Sequence, residues 1–419
     1  MNRMQITKLT IALMAVMTAF STHAVEQNGI SHGMFSFAED VTILANASSG
    51  VDNIYSAISA TKNNTTVTIA DGKTLNIKGD LSDNHIGGIF LISSQTNYEL
   101  NVAGDISGQI TTSLNKSIRG ISALGNIDIN GNVELVIDGG PSNVIGVGAW
   151  NGSQLRFSGE STKINIRTSL AQSSSVYGVQ GSGANTVISF NANNNSIVVD
   201  NSSENKSYSY GVSTTSSLIN FSGNSNITVF SNYGETYGVN VINNIDNRAV
   251  INFSGSEARV IVSGIDQAFG VRSSGSQSEI NFTGDATSIE VKSQRSSAYA
   301  VRLEDGGYAN FSGNAASLRA ESETGDAYGV SAKNGSDASF AGNAEIMASN
   351  HGSDRNAYGI HVDSGKAAFG KSLTVSAAAE KGNAYGIFNE ANGILSAAGP
   401  AVITVAAKSE DSSKELLKN

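Results

Sequence analysis

Ala298-Tyr299-Ala300-Val301, Ala309-Asn310-Phe311-Ser312-Gly313-Asn314 and Ser317-Leu318-Arg319-Ala320 are answered one copy later by Ala327-Tyr328-Gly329-Val330, Ala338-Ser339-Phe340-Ala341-Gly342-Asn343 and Glu345-Ile346-Met347-Ala348. Three short phrases return in a fixed order. Each is too short to bury its own apolar face, so the copies have to stack on one another to make a core. Such a chain is a solenoid.

The period shows in three ladders that keep step. An aromatic stands before a small residue at Tyr177, Tyr210, Tyr237, Phe269, Tyr299, Tyr328, Tyr358 and Tyr385. A second aromatic stands at Phe157, Phe190, Phe221, Phe253, Phe282, Phe311, Phe340 and Phe369. Aliphatic pairs two residues apart form the third: Ile164 with Ile166, Ile227 with Val229, Val260 with Val262, Ile289 with Val291, Leu373 with Val375, Ile403 with Val405. All three recur about every 30 residues. A helix would space its apolar positions by three and four, whereas alternate side chains on a strand face one way. In Ser288-Ile289-Glu290-Val291-Lys292 the two aliphatics are therefore expected inward and Glu290 and Lys292 outward. Clusters such as Asn193-Asn194-Asn195 and Asp305-Gly306-Gly307 supply the turns.

Three strands and three turns per repeat make one coil of a parallel β-helix. The coils are marked by Gly88, Gly120, Gly146, Gly178, Gly211, Gly238, Gly270, Ala300, Gly329, Gly359 and Gly386. A degenerate coil is expected ahead of them, from Ile54 to Ile58, Val67 with Ile69, and Leu75 with Ile77. The expected fold class is all-β, a right-handed parallel β-helix (solenoid) of about 11 to 12 coils. At about 4.8 Å per coil it is roughly 55 to 60 Å long.

Residues 1–24 read as a secretory signal, with Arg3 and Lys8 basic, Leu9 to Phe20 apolar and Thr22-His23-Ala24 a small-residue cleavage site. Residues 25–50 follow as an N-terminal cap segment, 51–406 as the β-helix and 407–419 as a polar tail, with Ser412 or Ser413 placed to start a weak helical cap. The net charge is -10, and removing the signal makes it more negative, which disfavours nucleic acid as a partner. Cysteine is absent, so an exported chain of this kind relies on its stacked core and not on disulfides. The two prolines suit a fold in which nearly every segment donates to a ladder.

A signal followed by coils carrying phrases such as Tyr237-Gly238-Val239 with Ile251-Asn252-Phe253-Ser254-Gly255 resembles the passenger region of autotransporters of the pertactin-like and AIDA-like kind. The resemblance covers nearly the whole chain after the signal and rests on architecture and loose phrases. It implies a non-catalytic, adhesin-like passenger acting in adhesion, autoaggregation or biofilm formation. The implied partners are a host-cell or bacterial surface protein or glycan, or a second copy of the chain. The family's translocator barrel would read as a series of alternating strands of about ten residues, and no such series follows the last coil. The expectation is a truncated passenger or a separate outer-membrane translocator: cell surface, outer membrane or extracellular space if one is available, and otherwise the periplasm. A truncated, non-functional fragment is the corresponding alternative.

No catalytic, cofactor or metal site is expected. His32, His85, His351 and His361 fall in different coils or loops and read as solvated turn residues. Ser273-Ser274-Gly275-Ser276 lacks an acid partner, and Asp138-Gly139-Gly140 lacks the flanking pattern of a calcium roll. The rival function is a β-helical polysaccharide lyase or hydrolase, which needs clustered carboxylates. Glu321, Glu323 and Asp326 are the best local cluster. The tyrosine ladder has two readings. It packs at a turn, or the following glycine switches strand parity and Tyr210, Tyr237, Tyr299, Tyr328, Tyr358 and Tyr385 project as a binding ridge.

Overall fold

One repeat folds as three short strands, Ala298–Glu304, Tyr308–Phe311 and Ala315–Ser322. Each pairs in parallel with its counterpart one coil on, placing Tyr299 beside Tyr328, Phe311 beside Phe340 and Leu318 beside Ile346. The computed structural model describes residues 25–28, 30–45, 55–80, 89–112, 117–139, 143–168, 175–204, 206–243, 247–352, 354–390, 392–407 and 414–418. Through them run three parallel sheets of 14, 13 and 13 strands. They are called here, after their dominant inward residues, the aliphatic, glycine and phenylalanine sheets. The chain is thus an all-β parallel solenoid, as the ladders require. The signal expected over 1–24, together with His85 and Gly88, lies outside the described residues.

The solenoid register extends beyond the limits read from sequence. Within the segment expected as a cap, Met34–Phe37 pairs with Thr65–Ile69, and Val41–Leu44 with Thr74–Asp80. In the tail, Lys414–Lys418 is a strand on Ala384–Glu390 and not a helical cap. Phe35 stands at the register of the phenylalanine column, but Val67, Val102 and Ile129 separate it from Phe157 and interrupt the ladder, and Lys414–Lys418 carries no aromatic marker.

The phenylalanine sheet builds the centre of the core. Phe157, Phe190, Phe221, Phe253, Phe282, Phe311, Phe340 and Phe369 form one buried column with ring centroids 4.6–4.9 Å apart. That interval is the spacing of hydrogen-bonded strands, so the backbone ladder sets the stacking and each adjacent pair adds about 0.5–1.5 kcal/mol beyond its area. In the aliphatic sheet alternation is strict: Ala316, Leu318 and Ala320 are buried while Arg319 and Glu321 face outward.

The glycine sheet breaks alternation. Ala300 and Val301 are adjacent and both belong to the core, so the strand bends between Tyr299 and Arg302. The bend pushes the sheet against the aliphatic one. A Cβ placed on Gly146, Gly178, Gly211, Gly238, Gly270, Gly329 or Gly359 would lie 2.2–2.5 Å from a branch methyl of Ile164, Ile197, Ile227, Val260, Ile289, Ile346 or Val375 respectively. Nothing larger than hydrogen fits opposite a β-branched residue.

The exceptions follow the same rule. Ala300 stands at the glycine position of its coil, and register puts it opposite Leu318, which carries no methyl on Cβ. Opposite Gly120 stands Leu135, whose nearest methyl would be 3.1 Å from an added Cβ. One coil earlier the sizes are exchanged: Leu91 occupies the glycine position and faces Gly108, where a Cβ would meet Leu91 Cδ1 at 2.8 Å. Leu91, not Gly88, is therefore the residue in register with Gly120. What holds from coil to coil is the shape rule: a methyl on the facing Cβ demands glycine, and a γ-branched leucine relaxes that demand.

Two outcomes are expected in denaturant titrations. Phe282→Ala loses about 3–5 kcal/mol by leaving a hole in the column, while Lys292→Ala on the outer face, where its ion pairs are solvated, loses no more than about 1 kcal/mol. Gly238→Ala loses about 1–3 kcal/mol through overpacking. Adding Val260→Leu, which recreates the Ala300–Leu318 pairing, recovers part of that loss. A strictly additive double mutant would contradict the lock.

Candidate functional site

The bend that brings the glycine sheet inward leaves a hollow on its outer side, and the tyrosine ladder fills it. Tyr177, Tyr210, Tyr237, Phe269, Tyr299, Tyr328, Tyr358 and Tyr385 stack in one column, centroids 4.6–5.2 Å apart. They form an apolar cluster separate from the main core. Tyr237 is 3 % exposed and Tyr299 9 %, while Tyr210 and Tyr358 are half-buried. The parity switch at the glycine thus occurs, and the rings lie on the outer side of the sheet, but their faces are occupied by one another. A sugar ring has no face to stack on within the column; edges and hydroxyls are what remain. The Tyr237 hydroxyl donates to Glu235 and that of Tyr328 to Asp326 at 3.3 Å, while Asn356 Nδ2 donates to the Tyr358 hydroxyl at 2.8 Å. Burial pushes the phenols of Tyr210, Tyr237, Tyr299 and Tyr328 above their usual range, and that of Tyr358 up to about 12.

Beside the column runs a second outward row, in which Arg272, Arg302, Ser331, His361 and Phe388 occupy successive coils. Glu304 takes both guanidinium groups: Arg272 Nε donates to its Oε1 at 2.8 Å and Arg302 Nε to its Oε2 at 3.1 Å. Burial raises the Glu304 carboxyl, but the two arginines outweigh it and hold the group below the usual carboxylate range. Arg302 lies 4.9 Å over the ring of Tyr299. His361 was expected as a solvated turn residue and is instead a strand residue 5 % exposed, packed against Tyr328, Tyr358 and Phe388. Among the described residues neither ring nitrogen has a hydrogen-bond partner, and Glu390 Oε2 at 3.7 Å from Nε2 is too far to serve. Burial, aided by the Lys333 charge, lowers its pKa. His32 and His351 are exposed, and His351 is not brought to His361 as a metal pair.

Near the other end of this strip, Arg119 lies 4.9 Å over Phe90 and 4.4 Å over Trp150. Its Nη1 donates to Ser122 Oγ at 3.2 Å, and its buried Nε finds no acceptor among the described residues. A buried donor left unpaired costs about 1–3 kcal/mol.

The aliphatic sheet presents a polar outer face. A groove of about 290 Å³ crosses four coils there, lined among others by Lys163, Asn194, Asn226, Glu257 and Arg259. On the phenylalanine sheet, Asn281 Nδ2 donates to Asn252 Oδ1 at 2.9 Å and Asn252 Nδ2 to Asn220 Oδ1 at 2.8 Å, an amide ladder along the rod. The carboxylates Glu321, Glu323 and Asp326 do not converge. Glu321 is paired with Arg319 and Lys292, Glu323 is exposed, and Asp326 accepts from the Asn356 amide at 2.8 Å beneath the tyrosine column. Burial raises the Glu321 carboxyl, but Arg319 and Lys292 hold it below the ordinary range, a poor setting for a general acid.

Comparison with family models, with curated proteins and with solved structures finds no match to this chain. Its architecture, the parallel β-solenoid, is the fold of autotransporter passengers.

Burial gives stability two pH limits. Below about pH 6.5 the unfolded chain takes up a proton at His361 that the folded chain resists, so stability falls as the solution is acidified. Above about pH 10 the unfolded chain loses phenolic protons that the folded column retains, so stability falls again as pH rises. Thermal melts across this range should show a plateau between the two limits. His361→Phe should flatten the acid limb, and tyrosinate absorbance from Tyr210, Tyr237 and Tyr328 should appear only with unfolding.

Proposed function

We propose that this chain is an autotransporter passenger, a non-catalytic and adhesin-like module that acts at the cell surface through its outer faces. The observation that carries this reading is the groove across four coils of the aliphatic sheet, where Lys163, Arg259, Glu257 and asparagine amides line one continuous track. Coils repeat at about 4.8 Å, so the track runs for roughly 15 Å along the rod. It suits an extended polymer laid along the axis, a surface glycan above all, better than a small molecule held in a pocket. Export uses the signal at 1–24, and the implied partner for surface display is an outer-membrane translocator supplied separately or encoded beyond this chain. The ion-paired state of Glu321 weighs against the lyase or hydrolase alternative.

Display of the chain on a non-adherent bacterial strain, through a translocator fused to it, tests the proposal. The displayed chain should confer attachment to glycan-bearing surfaces or autoaggregation. Lys163→Ala with Arg259→Ala should reduce the effect severalfold while shifting stability by no more than about 0.5 kcal/mol per site. Cells that display the folded chain yet neither attach nor aggregate, or a purified chain that depolymerises a polysaccharide, would overturn it.

A further inference from the structure

Arg119 occupies the register position of the tyrosine column, between Phe90 on one neighbouring strand and Ile145 on the other. Phe90 belongs to the preceding coil and Trp150 to the following one, so two aromatic rings bracket the guanidinium along the rod axis. Trp150 reaches back because Gly148 leaves the path open. A Cβ on Gly148 would lie 2.1 Å from the indole Cη2, and the neighbours in register, Ser122 and Gln180, both carry side chains.

The charge environment differs from that of the other two arginines on this strip. Arg272 and Arg302 share Glu304. Among the described residues no carboxylate lies within ion-pair distance of Arg119, and a serine hydroxyl is its one side-chain hydrogen-bond partner. The group is half-buried, its Nε is without an acceptor, and burial alone lowers its pKa. In a chain of net charge -10, a desolvated cation lacking a counter-ion is a demand for an external anion.

We propose that Arg119, Phe90 and Trp150 form a binding site for a carboxylated sugar. The guanidinium receives the carboxylate and the indole flanks the sugar ring. Flanked by aromatic rings, the guanidinium offers its edge, and its in-plane fork of N–H donors matches a planar carboxylate two bonds at a time. Trp150 supplies an amphipathic aromatic flank suited to the C–H face of a pyranose. The proposal rests on the glycan-binding reading of the chain and names a site within it.

The chain contains one tryptophan, so intrinsic indole fluorescence reports this site alone. Purified chain is titrated with sialyllactose, with an oligogalacturonate, with lactose as the uncharged control and with a sulfated glycosaminoglycan fragment. A saturable fluorescence change is expected with either carboxylated sugar, weakened by salt, and none with lactose. The first two arms distinguish sialic from uronic acids as the source of the carboxylate. Arg119→Met should weaken binding at least about tenfold, and Arg119→Lys, which keeps the charge but loses the fork, should fall between. Calorimetric titration of the same variants gives an affinity independent of the fluorophore, and Arg119→Lys with an unchanged melting temperature carries the test if Arg119→Met does not fold. The site is overturned by equal responses to lactose and sialyllactose, by a response to the sulfated fragment alone, by unchanged affinity in Arg119→Lys and Arg119→Met, or by no saturable response to any carboxylated sugar. A purified chain that binds no carboxylated sugar, displayed on cells whose attachment still falls with Lys163→Ala and Arg259→Ala, would sink the site and leave the adhesin reading standing; carboxylated-sugar binding by a chain that never confers attachment would do the reverse.

Discussion

The structure depends on how closely two of its sheets approach. Where the glycine sheet bends, its backbone comes so near the side chains of the aliphatic sheet that the branching of the facing residue decides what the bend can carry. Glycine faces isoleucine or valine, alanine faces leucine, and in one coil leucine faces glycine. Close packing of this kind answers to the shape of the facing groups and not only to their summed size. The same bend makes the outer hollow that eight aromatic rings fill, so the inner lock and the outer column are two sides of one deformation.

That deformation also explains why the outer side of the glycine sheet carries chemistry that the other two sheets lack. Side chains projecting into a hollow shield one another from water, and groups that elsewhere would be solvated become partly buried. Glu304 with its two arginines sits in this setting, and so do His361 and Arg119, which among the described residues find no hydrogen-bond partner and no counter-ion respectively. On the flat aliphatic sheet, ion pairs such as Lys292 with Glu290 stay in contact with water and contribute little.

The architecture was legible because its periodicities are independent. A two-residue alternation marks strands, and a spacing near thirty marks coils, so the inward placement of Phe253, Phe282 and Phe311 is written in the sequence itself. The terminal strands were not legible, since Met34–Phe37 and Lys414–Lys418 carry no aromatic–glycine phrase and only register reveals them. Arg119 and Trp150 escaped for a different reason. They are 31 residues apart, and what brings them together is a one-coil offset combined with a missing side chain at Gly148. No local motif encodes such a meeting. Overlaying the repeats would have exposed it, because an arginine then appears, between Phe90 and Ile145, at the position that the coils from Tyr177 to Tyr385 give to an aromatic.

The branch methyl that each glycine faces comes from its own coil, as Gly270 meets Ile289 and Ala300 meets Leu318, while the other close neighbour is a backbone carbonyl of the next coil, which any coil supplies. The Arg272–Glu304 contact, in contrast, joins two circuits. A genetic event that duplicates or deletes one whole circuit therefore carries its own steric complement with it and leaves the phenylalanine and tyrosine columns continuous. What such an event rearranges is the pattern of polar partners outside. Inheritance can thus lengthen, shorten or shuffle the rod without redesigning its interior, and selection is left to act on the surface alone.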